Sequence, residues 1–439
     1  MKRVIAISLI VTSFVMAPPA RAQQTPSTTT QSPSASSTML NEADQARLEA
    51  LRASGFEALF NLDYEKARQS FREIAHLFPT HPAGPQFLAA SLWIETLYET
   101  RRLQASLYSG DSFYAPSEDK ANPKVVEQFR IWTREAKKLA EARLKSNPKD
   151  AEARYFLGAT AGLKASFEEA VERRHFAAMR DGSDAVDHHR DVIRLDPTFH
   201  DAEITIGLYD YVIGSLPLAA KILVGVTGAR GSKKRGLATI ERVTREGKWA
   251  RDDARTLLIV LYTRERKFSE ALAYARELSA KYPRNYLFRL EAADALVAQA
   301  AVERKANHAA AVASAEREAF ATFEDLLHDR NVRDTAVKAL DLIHFKYGEA
   351  LLTAGQPERA AKEFLTTTTV ARAESGLVTM AYLYAAHAFD VAGKRDDALT
   401  QYRAVLARPN VYDSHDLAEK GMRQPFKMEI APVSTDEGE

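Results

Sequence analysis

From about residue 42 to 412, small and apolar side chains recur at intervals of three and four, the spacing of one buried face on an amphipathic helix. The runs are short, come in pairs, and restart. Gly348 to Phe364 reads GEALLTAGQPERAAKEF, and Gly55 to Phe71 reads GFEALFNLDYEKARQSF. Both place a Gly, a small residue twelve positions on and a Phe sixteen positions on. Period-two, β-branched stretches are almost absent. The pattern predicts an all-α chain of helix pairs, each burying its apolar face only against its neighbours.

Numbering a unit of about 34 residues so that Gly348 takes place 8 puts Leu351 at 11, Gly355 at 15, Ala360 at 20 and Phe364 at 24. Small residues at 8 and 20 let helix A cross helix B closely, and Gly355 supplies the turn. With Gly55 at place 8, Tyr64, Ala67, Phe71 and Pro79 fall at 17, 20, 24 and 32. Pro148, Pro197 and Pro283 at place 32 put Ala136, Ala185 and Ala271 at 20, while Gly158 and Gly207 open further units at 8. Gly393 at 15 carries Ala398 and Tyr402. This signature resembles the tetratricopeptide repeat (TPR) superfamily over most of 42–412. The resemblance implies a right-handed helical-hairpin solenoid, an α-α superhelix of about 16 to 18 helices in eight or nine pairs. Spacings above the repeat length place inserts near 165–181, 212–230 and 303–330. Two shorter solenoids joined near 212–236 are an alternative arrangement.

The ends differ from the body. Lys2 and Arg3 precede an apolar stretch, Val4 to Ala17, and then Ala20-Arg21-Ala22, the layout of a cleavable secretory signal over 1–22. Residues 23–41, rich in Ser, Thr, Pro and Gln, read as a disordered tether, because they offer too little apolar surface to offset ordering. Residues 413–439 read as a C-terminal extension. The expected location is periplasmic or secreted in a Gram-negative bacterium. The chain holds 60 Lys+Arg against 59 Asp+Glu; without the first 22 residues the net charge is −2. That balance gives no drive toward nucleic acid. With no Cys, neither disulfides nor a thiol nucleophile are available.

Tyr209 to Leu237, YDYVIGSLPLAAKILVGVTGARGSKKRGL, breaks the pattern. It resembles an insert of tetratricopeptide-repeat-39 type proteins, which implies a helical repeat without catalysis. Its glycines lack the spacing of a phosphate loop. Arg230, Lys233, Lys234 and Arg235 form a basic tip beside the apolar Leu216–Val226, a candidate anion or membrane contact.

No catalytic motif emerges. His188 and His189 are adjacent on a helix and point about 100° apart, so they do not chelate one metal. Glu168-Glu169 and Asp396-Asp397 read as solvated charge, and Trp93, Trp132 and Trp249 as packing residues. No cofactor or metal is expected, and the chain reads as a non-enzyme. In the solenoids it resembles, places 2, 5, 9, 12 and 13 of helix A face the concave groove. Here these places give Arg52, Phe56, Phe60, Tyr155, Tyr211, Thr256, Arg264, Phe345, Glu349 and His387. Aromatics with Arg are the residue types enriched at interface anchors. The leading function is a scaffold for a protein or peptide partner; a membrane-surface module acting through 212–236 is the alternative.

Overall fold

A computed structural model describes residues 40–109, 118, 120–216, 231–328 and 337–428. Those residues form 17 α-helices and no strand, so the expected all-α, helical-hairpin fold is the one adopted. The helices are α1 (Glu42–Phe60), α2 (Tyr64–Leu77), α3 (Ala83–Glu99), α4 (Pro123–Ser146), α5 (Ala151–Phe167), α6 (His175–Leu195), α7 (Glu203–Ser215), α8 (Lys233–Glu246) and α9 (Arg251–Arg264). They continue with α10 (Phe268–Lys281), α11 (Tyr286–Lys305), α12 (Ala309–His328), α13 (Leu340–Thr353), α14 (Pro357–Thr369), α15 (Ser375–Val391), α16 (Arg395–Leu406) and α17 (Ser414–Arg423). The segments expected to hold inserts differ in kind. The first is a π-turn, Glu168–Glu172, between α5 and α6. The third, as far as it is described, falls in two long helices, α11 and α12. Residues 217–230 of the second lie outside the described residues, as do the signal and tether up to residue 39.

Short polar residues start the helices. Asn41, Asp63, Asn122, Asp150, Ser232 and Asn285 each accept a backbone N–H of the first turn. Turns between paired helices need one left-handed residue. Gly355 and Gly393 supply it with φ of 76° and 74°; Leu62, Arg173, Arg266 and Asn307 supply it without glycine.

In three hairpins a glycine of the first helix receives a large side chain of the second. A Cβ on Gly55 would sit 2.2 Å from Phe71 Cε1, one on Gly158 2.3 Å from His189 Cδ2, and one on Gly348 2.7 Å from Phe364 Cδ1 and Cε1. Ala67, Ala136, Ala185, Ala271, Ala360 and Ala398, all at place 20, are fully buried. These contacts are the joint that the repeat pattern calls for. At about 1.5–3 kcal/mol for each buried aromatic or aliphatic side chain, they dominate the stability of a chain without disulfides. The joint recurs at the end: Gly421 of α17 lies against the ring of Tyr402, and Ala418 is fully buried. Thus α17 closes the apolar face that α15 and α16 would leave open.

The chain divides into two compact units. Unit 1 takes the described residues up to Leu97 and Ala121–Leu261; unit 2 takes Tyr98–Lys120 and the described residues from Tyr262 on. The division falls at 261–262 rather than near 212–236. Unit 2 also claims a segment lying, in sequence, between two parts of unit 1.

Candidate functional site

In unit 1 the middle of α1, the start of α5 and the approach to α9 converge on Trp249. Its indole Nε1 donates to Glu49 Oε2 at 3.0 Å. Asp201, itself 3% exposed, accepts the backbone N–H of Lys248 (3.0 Å to Oδ1), Trp249 (2.7 Å) and Ala250 (2.7 Å). It therefore caps the start of α9 from another element and fixes the indole. The ring lies 5.6 Å from Tyr155 and 5.5 Å from Phe199, and Tyr155 is 4.9 Å from Phe199. The Arg52 guanidinium lies 5.7 Å from the Trp249 ring and 5.9 Å from that of Phe56. It also binds Glu49 through Nη2 to Oε1 (2.7 Å) and Nε (3.1 Å). Phe56 continues the aromatic wall to Phe71 and Phe87 at 5.2 and 5.0 Å.

Burial, aided by Asp201 and Asp253, pushes the Tyr155 phenol well above its ordinary value, so it is a neutral donor. Asp253 is exposed, yet the protein around it and the neighbouring Asp252 raise its carboxyl to about 6. The arrangement presents aromatic faces, one fixed guanidinium and an accessible carboxyl. Aromatic rings and arginine are residue types enriched at interface anchors. Among the described residues no group of three or more His, Asp or Glu is placed to hold a metal ion.

Three residues that the repeat register assigns to the groove, Arg52, Phe56 and Tyr155, are thus brought together. Phe60 and Thr256 are half-buried, the Thr256 hydroxyl donating to Asp252 O at 2.8 Å, and Arg264 is exposed. Tyr211 does not face a groove. It is 1% exposed, and a Cβ on Gly236 would meet its backbone N at 2.6 Å; the close crossing of α7 and α8 turns it into the core. Phe345 is also core, 5.5 Å from Phe364 and 5.4 Å from Tyr384. Trp249, read as a packing residue, is the hub of the site. Glu49, Asp201 and Asp253 all stand at place 2, so that column carried the missing signal. Phe199 and Trp249 precede their helices and fall outside the register.

In unit 2, Glu349 accepts from Lys346 Nζ at 2.6 Å, and Asp294 from the same ammonium at 2.7 Å. Burial opposes the Lys346 charge, but Asp294 and then Glu349 overcome it and hold the amine protonated. Burial also raises Glu291 and Asp294, each further pushed by a neighbouring carboxylate. His387 stacks on Phe426 at 3.9 Å and 13°, and burial lowers its pKa to about 4.

The basic tip is altered. Arg230 lies outside the described residues. Lys233, Lys234 and Arg235 are exposed in the first turn of α8, and Arg235 is committed to Asp210, with Nη2 to Oδ1 at 2.9 Å. Glu168, read as solvated, is 7% exposed. No described helix is long and apolar enough to cross a membrane.

Comparison with protein-family models and with curated proteins gives no match. Among solved structures the chain is similar in fold to the human IFIT1 dimer with PPP-AAAA (14% identity, 87% of this chain and 85% of that chain, TM-score 0.45). It is also similar to yeast Tom70 (12%, 88% and 90%, TM-score 0.33). A tetratricopeptide repeat protein from Parabacteroides merdae is a third such structure (14%, 76% and 99%, TM-score 0.30). The glycine–aromatic joints and the stacked hairpins make this chain a helical-repeat protein resembling the TPR superfamily.

Proposed function

We propose that the protein is an exported, non-catalytic scaffold that captures a protein or peptide partner on the inward face of unit 1. The supporting observation is the convergence of Arg52, Phe56, Tyr155 and Trp249 beside the accessible carboxyl of Asp253. Rigid helices hold these anchors in place, so little ordering entropy is lost on binding. An aromatic and guanidinium wall favours a chain that offers both apolar side chains and hydrogen-bonding groups.

Phe56 and Arg52 are tied into packing, so their removal would confuse stability with binding. Asp253→Arg changes an exposed group instead. In affinity capture from a periplasmic extract, read by mass spectrometry, this variant should lose the partner that the parent retains. A photo-crosslinker at position 256 should label the same partner. Identical capture by both proteins, with no crosslink, rules out this face. Export is tested by cell fractionation and N-terminal sequencing, with a mature start at Gln23 expected.

A further inference from the structure

Unit 2 treats residues 101–107 as a ligand. Arg101 Nε donates to Asp341 at 3.0 and 3.1 Å to its two oxygens, and the guanidinium also reaches Lys338 O. Four residues on, the backbone N–H of Ala105 donates to Glu291 Oε1 at 2.9 Å. The hydroxyl of the next residue, Ser106, accepts from Lys346 Nζ at 3.1 Å. Arg102 Nε donates to Tyr412 OH at 3.3 Å, and Arg101, Arg102 and Ala105 are all buried. Glu291, Lys346 and Asp341 stand on α11 and α13, the first helices of successive hairpins. Arg101 adopts a left-handed backbone, φ 57°, a conformation that an L-residue keeps only where its surroundings fix it.

Charge agrees with contact. This face carries four carboxylates, Glu291, Asp294, Asp341 and Glu349, and one ammonium, Lys346, which pairs with Asp294 and Glu349. The segment Tyr98–Ser109 carries Arg101 and Arg102 against Glu99. We infer that this face of unit 2 is a recognition site for a basic peptide with an arginine followed four and five residues later by small residues. The chain's own 101–107 fills it in cis, and a partner bearing an equivalent segment takes it by displacement. This site is separate from the face of unit 1 and stands or falls without it.

The probe is a fluorescent synthetic peptide of residues 98–109, titrated onto the full chain. The parent should bind it at least tenfold more weakly than an Arg101→Ala variant, whose cis segment is loosened. A peptide with alanine at the position of Arg101 should not bind the variant. Affinity should fall as salt rises, because the pairing is ionic. In case Arg101→Ala does not fold, hydrogen exchange of the parent decides the matter alone. Excess peptide should speed exchange of the Ala105 amide, which loses its Glu291 acceptor when the cis segment leaves. No peptide binding by a folded variant, or an Ala105 amide unmoved by excess peptide, would show that 101–107 is ordinary core and overturn the inference.

Discussion

Replacing His189 by Phe tests the joint and its chemistry together. His189 occupies the place that Phe71 and Phe364 fill in their hairpins, against the glycine of helix A. It is 2% exposed, stacks on Tyr155 at 5.2 Å, and donates from Nε2 to Tyr155 O at 3.2 Å. Its Nδ1 is buried without a hydrogen-bond partner. Burial lowers its pKa to about 4. An unfolded histidine titrates near 6.5, so as pH falls the unfolded chain takes up the proton first and stability declines. Linkage gives a loss of about 2.5 kcal/mol between pH 7.5 and 4.5. Phe keeps the ring, forgoes one hydrogen bond worth about 1 kcal/mol, and removes an orphaned nitrogen costing a similar amount. The variant should therefore match the parent near pH 7.5 and exceed it at pH 4.5. Trp93, Trp132 and Trp249 all lie in unit 1, so urea titrations followed by tryptophan fluorescence at the two pH values report the right unit. Equal acid sensitivity in both proteins, or a large loss at pH 7.5, refutes the reasoning.

Gly348→Ala should cost about 2 kcal/mol by crowding Phe364, and Phe364→Leu in the same chain should return part of it in a double-mutant cycle. Gly355→Ala, with open space around it but φ 76°, should cost about 1 kcal/mol and show no coupling to Phe364. Thermal denaturation by circular dichroism checks all four proteins. Asp201→Ala should destabilise unit 1 by about 2–4 kcal/mol, because three backbone N–H groups lose a charged acceptor. The Trp249 emission should shift red, and Asp201→Asn should recover part of the loss.

The fold was legible because its constraint is steric and local. Only a residue with almost no side chain can face Phe71 or Phe364, and that demand recurs in a fixed register. Turns were half legible. Gly355 and Gly393 announce themselves, whereas Leu62, Arg266 and Asn307 adopt the same handedness with nothing in their chemistry to mark it. The site was less legible, since a register says which side of a helix a residue occupies but not what meets it. Tyr211 and Phe345 sit at groove places, yet close helix crossings bury them. Trp249 is placed by Asp201, 48 residues earlier, a pairing that no periodicity encodes. Nothing in the register marks the segment 101–107; Arg101 meets Asp341 240 residues on, and Arg102 meets Tyr412 310 residues on.

That distance orders events during synthesis. Arg101 emerges 240 residues before Asp341, a wait of roughly 10–50 s at 5–20 residues per second. The hairpins of unit 1 have time to fold while that segment must still stay uncommitted. No single cut yields two self-sufficient halves, either. A fragment ending at Leu261 would carry residues whose binding face it lacks, and one starting at Tyr262 would leave Asp341 buried without its counter-charge.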